Sequence, residues 1–166
     1  MKKIFVLVAI CLLYTVNAEA QKTGDMAVGG NLVLGTGNST TNIGIGAKFR
    51  YNVTDPIRLE GSFTYFLETD KVTYYDLIAE GHYLFPVSPE VTLYPIVGLG
   101  IFMWSTPTYE IWGVKFGGSD SDFGLVIGGG IDYKLNDKMS LNGGIKFKVA
   151  GDWNRTYISA GFSHRL

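Results

Sequence analysis

The sequence is poor in charge, in cysteine and in histidine, and each shortage removes a class of function. Lys, Arg, Asp and Glu make up 17% of the 166 residues and balance to −1, so the chain offers no basic surface to nucleic acid. Its one cysteine, Cys11, rules out a disulfide framework and a cysteine-based zinc centre. Two histidines, His82 and His164, supply no clustered metal ligands. No apolar run reaches the ~20 residues of a spanning helix, and no 3.6-residue stripe marks an amphipathic helix. What the chain does have is glycine, 22 residues, and aromatic side chains, at 14%. Hydrophobic residues at 46% are too many for a disordered chain. The length fits one domain, and the composition points to an all-β protein with an unusual exterior.

The first twenty residues read as a targeting segment. Lys2 and Lys3 precede the uncharged run from Ile4 to Tyr14, and Ala18-Glu19-Ala20 follows. A basic start, an apolar middle and a small-residue site are the marks of a secretory signal peptide. The expectation is Sec-type export with cleavage after Ala20, leaving residues 21–166 without cysteine. A lipoprotein site at Cys11 is rejected, because Ile10 is not small and the apolar run continues beyond it.

Residues 21–166 break at Gly, Pro, Asn and Asp clusters into eight segments with a period of two: 26–34, 42–51, 57–66, 74–85, 91–104, 122–135, 139–149 and 155–166. Period two is the pattern of a strand whose faces see different surroundings. Ile43, Ile45, Ala47, Phe49 and Tyr51 alternate with Asn42, Gly44, Gly46, Lys48 and Arg50. The other segments repeat the scheme. Thirteen charges fall within six segments, and within each segment all share the less apolar phase. They are Lys48, Arg50, Arg58, Lys134, Lys146, Lys148, Arg155 and Arg165, with Glu60, Asp76, Glu80, Asp122 and Asp132.

A soluble lipocalin-like barrel turns its apolar face inward, and a membrane barrel turns it to lipid. Three features favour the membrane. The charged face of five strands carries twelve Gly, Ser and Thr against four on the apolar face, as a narrow packed interior requires. Aromatics gather at both strand ends: Tyr65, Phe66, Tyr74, Tyr75, Phe102, Trp104 and Phe123 in one belt, Tyr51, Tyr83, Phe85 and Tyr133 in the other. Such belts mark membrane interfaces. The connections alternate between short turns at 52–56, 86–90 and 136–138 and longer ones at 35–41, 67–73, 105–121 and 150–154. Segments of nine to fourteen residues are long enough to span a bilayer when tilted. The expected fold is an all-β, eight-stranded, antiparallel, up-and-down transmembrane β-barrel. Pro95 is an anomaly within the fifth segment, read as a bulge or as the start of its spanning part. The alternating stretch 108–116 is read as an external hairpin extension rather than a ninth spanning strand.

With these eight segments and the ending Ser159-Ala160-Gly161-Phe162-Ser163-His164-Arg165-Leu166, the chain resembles the small eight-stranded outer membrane β-barrels of OmpA/OmpX type, a family of Gram-negative bacteria. Members of that family end in a polar-x-Gly-x-x-aromatic-x-aromatic signal read by the barrel assembly machinery. Ser159 and Gly161 match it, while His164 and Leu166 stand at the aromatic positions. The resemblance implies an integral outer-membrane protein, a monomer in outer membrane lipid, inserted by that machinery.

Little in the sequence speaks for catalysis. His82 shares its phase with Asp76 and Glu80, which suits a hydrogen-bonded plug better than an acid–base couple. His164 lies on the opposite face from Ser163, so neighbours do not build a Ser–His nucleophile. The expectation is a non-enzymatic barrel without metal or cofactor, its lumen filled by an ion network of Lys48, Arg50, Arg58, Glu60, Asp76, Glu80, His82, Asp132, Lys134, Lys146, Lys148 and Arg165, since buried charges must pair. The 105–121 loop, with Tyr109, Glu110, Trp112 and Phe116, is the expected contact region for an extracellular protein or surface partner. The role is then envelope integrity or surface interaction. A narrow anion-preferring pore, a lipid-modifying barrel enzyme and a soluble lipocalin-like ligand binder stand as alternatives.

Overall fold

The computed structural model describes residues 22–37, 40–69, 72–111, 114–149 and 154–166, with the backbone alone at 69, 107–111 and 114–117. The segment 1–20, expected to be a signal peptide, lies outside the described residues. Eight strands follow in order: β1 Met26–Gly37, β2 Thr40–Asn52, β3 Ile57–Thr69, β4 Val72–Tyr83 with a continuation at Phe85–Pro86, β5 Val91–Ile111, β6 Val114–Lys134, β7 Met139–Val149 and β8 Arg155–Arg165. Each pairs antiparallel with its neighbours in the chain, and β1 pairs with β8 from Ala27↔Arg165 to Thr36↔Thr156. The sheet is therefore a closed ring, which leaves no edge strand at membrane depth.

The three short turns share one construction. Val53, Val87 and Leu135 each donate a backbone N–H to the carbonyl of the residue four places on, at 2.9 Å. The next residue, Thr54, Ser88 or Asn136, turns its side-chain oxygen onto the amide that opens the following strand, at 3.0 Å for Ser88 and 2.9 Å for Asn136. Side chains of this kind supply locally the partners that the turn backbone lacks.

Alternation resolves as a lipid-type barrel. Leu32 and Val97 are 60% exposed and Phe123 is 62% exposed, while Arg58 is 1% and Glu80 3% exposed. The large apolar side chains of the alternation lie mostly on the outer face and the charges inside, the reverse of the arrangement a lipocalin-like ligand binder needs. Inside, glycine makes room for large side chains. A Cβ on Gly44 would stand 2.8 Å from the Phe66 ring, and one on Gly130 would run into the Tyr94 ring.

The aromatic belts are thinner than the sequence suggests. Tyr65, Tyr75 and Phe123 lie on the outer face, with Tyr65 and Tyr75 ring to ring at 5.4 Å. Phe66 and Phe102 are buried inside the barrel, and Tyr74 packs against the same interior cluster. Trp104 pairs with Tyr74 across β4 and β5 and shares its inward phase. These four follow the strand period rather than a preference for the interface. At the other end Tyr83 and Phe85 meet at 4.7 Å, and Tyr133 is exposed.

Two expectations about the backbone are corrected. Pro95 makes no bulge and lies well inside β5: the β5–β6 register runs unbroken from Val91↔Tyr133 through Pro95↔Gly129 to Thr106↔Gly118. Of the connections read as longer, 35–41, 67–73 and 105–121 are mostly ladder, and residues 150–153 of the fourth lie outside the described residues. Two residues separate β1 from β2, β3 from β4 and β5 from β6, against four in the turns after β2 and β6. Segment 105–121 is the upper part of the β5–β6 hairpin, which continues to Ile111↔Val114 past a register shift between Thr106 and Tyr109. β4 follows β5 only to Ser105, and β7 follows β6 only to Leu125. The hairpin therefore stands beyond the ring, and 108–116 adds no ninth stave.

One compact residue recurs on every strand. The third outward position above the short-turn end is Gly30, Ala47, Gly61, Ala79, Pro95, Gly129, Gly143 and Ala160 in β1 to β8. Within each hairpin the two face each other directly: Gly30↔Ala47, Gly61↔Ala79, Pro95↔Gly129 and Gly143↔Ala160.

Candidate functional site

The chemistry of this molecule is concentrated in its lumen, in two layers. The lower layer lies nearer the short turns and is built by the inward positions of β2, β3, β4, β6 and β7. Arg50 Nε donates to Glu60 Oε2 at 2.6 Å, and its Nη1 donates to Asp132 Oδ1 at 3.2 Å. Arg58 Nη1 donates to Asp132 Oδ2 at 2.6 Å, and Arg58 Nε donates to His82 Nδ1 at 3.1 Å. Because a guanidinium can only donate, Nδ1 of His82 is the acceptor and Nε2 carries the hydrogen. That N–H meets Glu80 Oε2 at 3.2 Å, and Lys146 Nζ reaches Glu80 Oε1 at 2.6 Å. The result is one continuous chain of partners: Lys146, Glu80, His82, Arg58, Asp132, Arg50, Glu60. Lys48 Nζ donates to Asn142 Oδ1, and Asn142 Nδ2 donates to Ser163 Oγ at 3.0 Å.

Tyr94 sits in the middle of this chain. Its hydroxyl donates to Asp132 Oδ1 at 3.2 Å, its ring stacks on His82 at 4.8 Å, and the Arg58 guanidinium lies 4.5 Å from the ring centre. A desolvated guanidinium over an aromatic face adds a cation–π attraction to its ion pair. Leu84 and Ile96 join Tyr94 in a small buried apolar cluster.

The upper layer is apolar and aromatic, with Val33, Phe66, Ile78, Phe102, Val126 and Tyr157 buried together. Two cations are set into it. Lys148 Nζ stands 3.8 Å over the Phe102 ring. The Arg155 guanidinium lies 5.3, 4.9 and 5.8 Å from the rings of Phe66, Tyr74 and Tyr157, and donates to Asn42 Oδ1 at 2.6 Å. Asp76 is buried at the same level, 3% exposed.

These contacts cross the lumen. In a ring of eight, β2 and β6 are opposite staves, yet Arg50 and Asp132 touch; β4 and β8 are also opposite, yet Arg155 reaches the Tyr74 ring. The bore is thus filled by side chains at two heights. A void of about 60 Å³ opens at the short-turn end, while one of about 10 Å³ among Lys48, Glu60, Glu80 and Asn142 is at the lower limit for a single water.

Of the residues named from sequence, Lys48, Arg50, Arg58, Glu60, Glu80, His82, Asp132 and Lys146 lie together in the lower layer, and Asp76 and Lys148 in the upper. Lys134 and Arg165 do not join them. They are the inward positions nearest the rim, each with a side chain 34% exposed, and pair with Asp137 at 2.9 Å and Asp25 at 3.6 Å. Sequence reasoning missed Tyr94, Asn142 and Ser163 as members of the network; Asn142 and Ser163 share the phase of the charges on their strands, whereas the segment 91–104 around Tyr94 carries no charge to mark its inward phase. Tyr109, Glu110 and Phe116 fall on the projecting hairpin, with Tyr109↔Phe116 and Glu110↔Lys115 in register; Trp112 lies outside the described residues.

Neither catalysis nor metal binding finds support in the geometry of the described residues. Ser163 points inward to Asn142 while His164 is on the outer face. Oxygen and nitrogen atoms of Glu60, Glu80 and His82 come within 4.8 Å of one another, a spacing a cation could use. Arg50 and Lys146 already neutralise the two carboxylates, and the His82 Nε2 hydrogen faces Glu80, so a metal would have to expel partners that the site already holds.

A family model described as the outer membrane protein beta-barrel domain matches residues 5–165. Among solved structures, Neisserial surface protein A aligns with a TM-score of 0.66 and 14% identity over 86% of this chain and 96% of that one. Ail, the attachment invasion locus protein of Yersinia pestis, aligns with a TM-score of 0.58 and 18% identity over 87% and 99%. The N-terminal β-barrel domain of Pseudomonas aeruginosa OprF aligns with a TM-score of 0.62 and 16% identity over 88% and 100%. At these identities the likeness is one of fold. No curated protein matches the chain.

Proposed function

The chain belongs to the outer membrane protein β-barrel family, and we propose that it is a closed, non-enzymatic barrel whose work is done by the hairpin it holds outside the membrane. The observation that carries this reading is the contact of Arg50 with Asp132 at 3.2 Å across opposite staves. With the bore crossed by paired charges, transport is not what the interior is built for, and the β5–β6 hairpin beyond Ser105 is left as the part that meets the surroundings. Exposed backbone edges and loop residues on a rigid scaffold suit recognition of a surface or protein partner. The fold likeness to a protein named for attachment agrees with this reading. The barrel reaches its place by Sec-type export with loss of residues 1–20, is inserted by the barrel assembly machinery, and stands as a monomer in outer membrane lipid, where it also serves envelope integrity.

Purified protein reconstituted in planar bilayers tests the closed bore. No discrete conductance steps are expected at 100 mV, and steady anion-selective steps would instead favour a narrow pore. An excess of buried cations over buried carboxylates, with Lys148 and Arg155 set among rings, is the observation on that side.

A further inference from the structure

The β4–β5 ladder is interrupted inside the wall. Pairs run from Thr73↔Ser105 to His82↔Ile96 and resume in the same register at Phe85↔Leu93. The missing pairs are those that would join Tyr83 to Pro95 and Leu84 to Tyr94. The cause is covalent: the register places the nitrogen of Pro95 toward β4, where it has no hydrogen to give to the Tyr83 carbonyl. Leu84 turns its own N–H the other way, to the Pro56 carbonyl at 2.7 Å. By contrast, the joint that closes the ring between β1 and β8 is paired without a break. Two register shifts, at Phe66/Thr69 and Thr106/Tyr109, lie toward the outer tips of their strands.

The residue beside this gap is Tyr94, the aromatic centre of the lower network. Its ring packs against both His82 and Arg58, and its hydroxyl is bonded to Asp132. Behind the gap the interior is apolar, with Leu84 and Ile96 packed on Tyr94. No charge pair therefore ties β4 to β5 at this height on the inner side either.

We propose that the β4–β5 joint at Pro95 is a built-in seam, the place where the barrel wall opens locally, and that its opening loosens the lumen plug through Tyr94. Backbone strain has no part in this. The seam lacks one ladder bond and carries the side chain on which three partners of the plug converge. Outward movement of β5 at Pro95 draws the Tyr94 ring away from His82 and Arg58 and breaks its bond to Asp132.

The test is amide hydrogen exchange by NMR on the protein in lipid nanodiscs, compared with Pro95→Val, which restores the donor on a residue suited to a strand. Amides of Tyr83, Phe85 and Leu93 should exchange faster than those at the middle of the β1–β8 joint. Pro95→Val should slow them about fivefold, the effect of one added hydrogen bond. The coupling is read separately from the flip rate of the ring at position 94, which should fall in Pro95→Val and rise in Tyr94→Phe, where the bond to Asp132 is gone. Seam amides as protected as the β1–β8 joint, or indifferent to Pro95→Val, would overturn the seam. A ring-flip rate unchanged by Pro95→Val would overturn its link to the plug.

Discussion

Asp132 is the residue on which the lower layer turns, since its two oxygens take Arg50, Arg58 and Tyr94. Asp132→Asn keeps the shape and removes the charge, leaving Arg50 with Glu60 and taking from Arg58 the carboxylate it meets at 2.6 Å. Breaking a buried pair from one side costs about 3 kcal/mol or more, and urea titration of the protein in liposomes should show a loss of that size. At the short-turn rim Asp55 holds the start of the described chain. The Thr23 hydroxyl, at 2.7 Å, and then the Thr23 N–H, at 2.8 Å, keep its carboxyl below the usual carboxylate range. A carboxyl whose folded value is depressed stabilises fully above its unfolded value, near 4, and loses that contribution as pH falls through the folded value. The Thr23 amide should therefore lose its exchange protection below about pH 4, and Asp55→Asn should abolish this dependence on pH. Which face each lumen charge occupies was legible from alternation alone. Which charge it meets was not, because Arg50, Arg58 and Lys146 find partners three or four staves away, and such distances exist only once the ring is closed.

At the scale of the strand, the hairpin β5–β6 has two parts with different duties. Up to Ser105 and from Leu125 it is part of the ring, and beyond that its outer edges have no neighbour among the described residues. Replacing 107–116 by a two-residue turn should leave the heat-dependent gel mobility and the urea midpoint of the barrel unchanged, while removing whatever binding to cells or surfaces the intact protein shows. A fall in barrel stability would mean that the hairpin braces the ring. Strand ends at the short turns were legible in the sequence, because Pro, Asp and Asn punctuate them at 52–56, 86–90 and 136–138. The outer ends were misread as loops for a physical reason. Above the membrane both faces of a strand meet water, so the period-two signal fades at Gly35-Thr36-Gly37 and Ser119-Asp120-Ser121 although the hydrogen-bonded ladder continues. Phe66 and Phe102 were misassigned by the opposite error, a preference for belts placed above the strand period that had already turned them inward.

For the molecule as a whole, inside and outside are exchanged relative to a water-soluble protein; thirteen charges in one phase showed two unlike faces, and the small residues gathered on the charged face pointed to which one is inside. It sets the cost of polar change on the outer face. Ile127, half exposed to lipid midway along β6, should tolerate Leu freely, whereas Ile127→Arg should lower stability by about 2–4 kcal/mol in the same urea titration. An equal effect of both substitutions would mean that this face does not lie in hydrocarbon. The ring of compact residues from Gly30 to Ala160 gives the outer face a shape as well as a polarity. It lies four or five residues above the short-turn end of the strands, counting β4 from Tyr83, which on a strand tilted by ~40° is about 10 Å into an apolar band about 25 Å tall. The profile presented to the lipid is that of an hourglass, narrowest near the plane where acyl chains from the two leaflets end. Chain termini can lean into that waist while the broader tiers above and below hold the straighter parts of the same chains. A thicker bilayer would carry its own midplane off the waist, so a mismatch in thickness would be felt at the middle of the wall as well as at its rims.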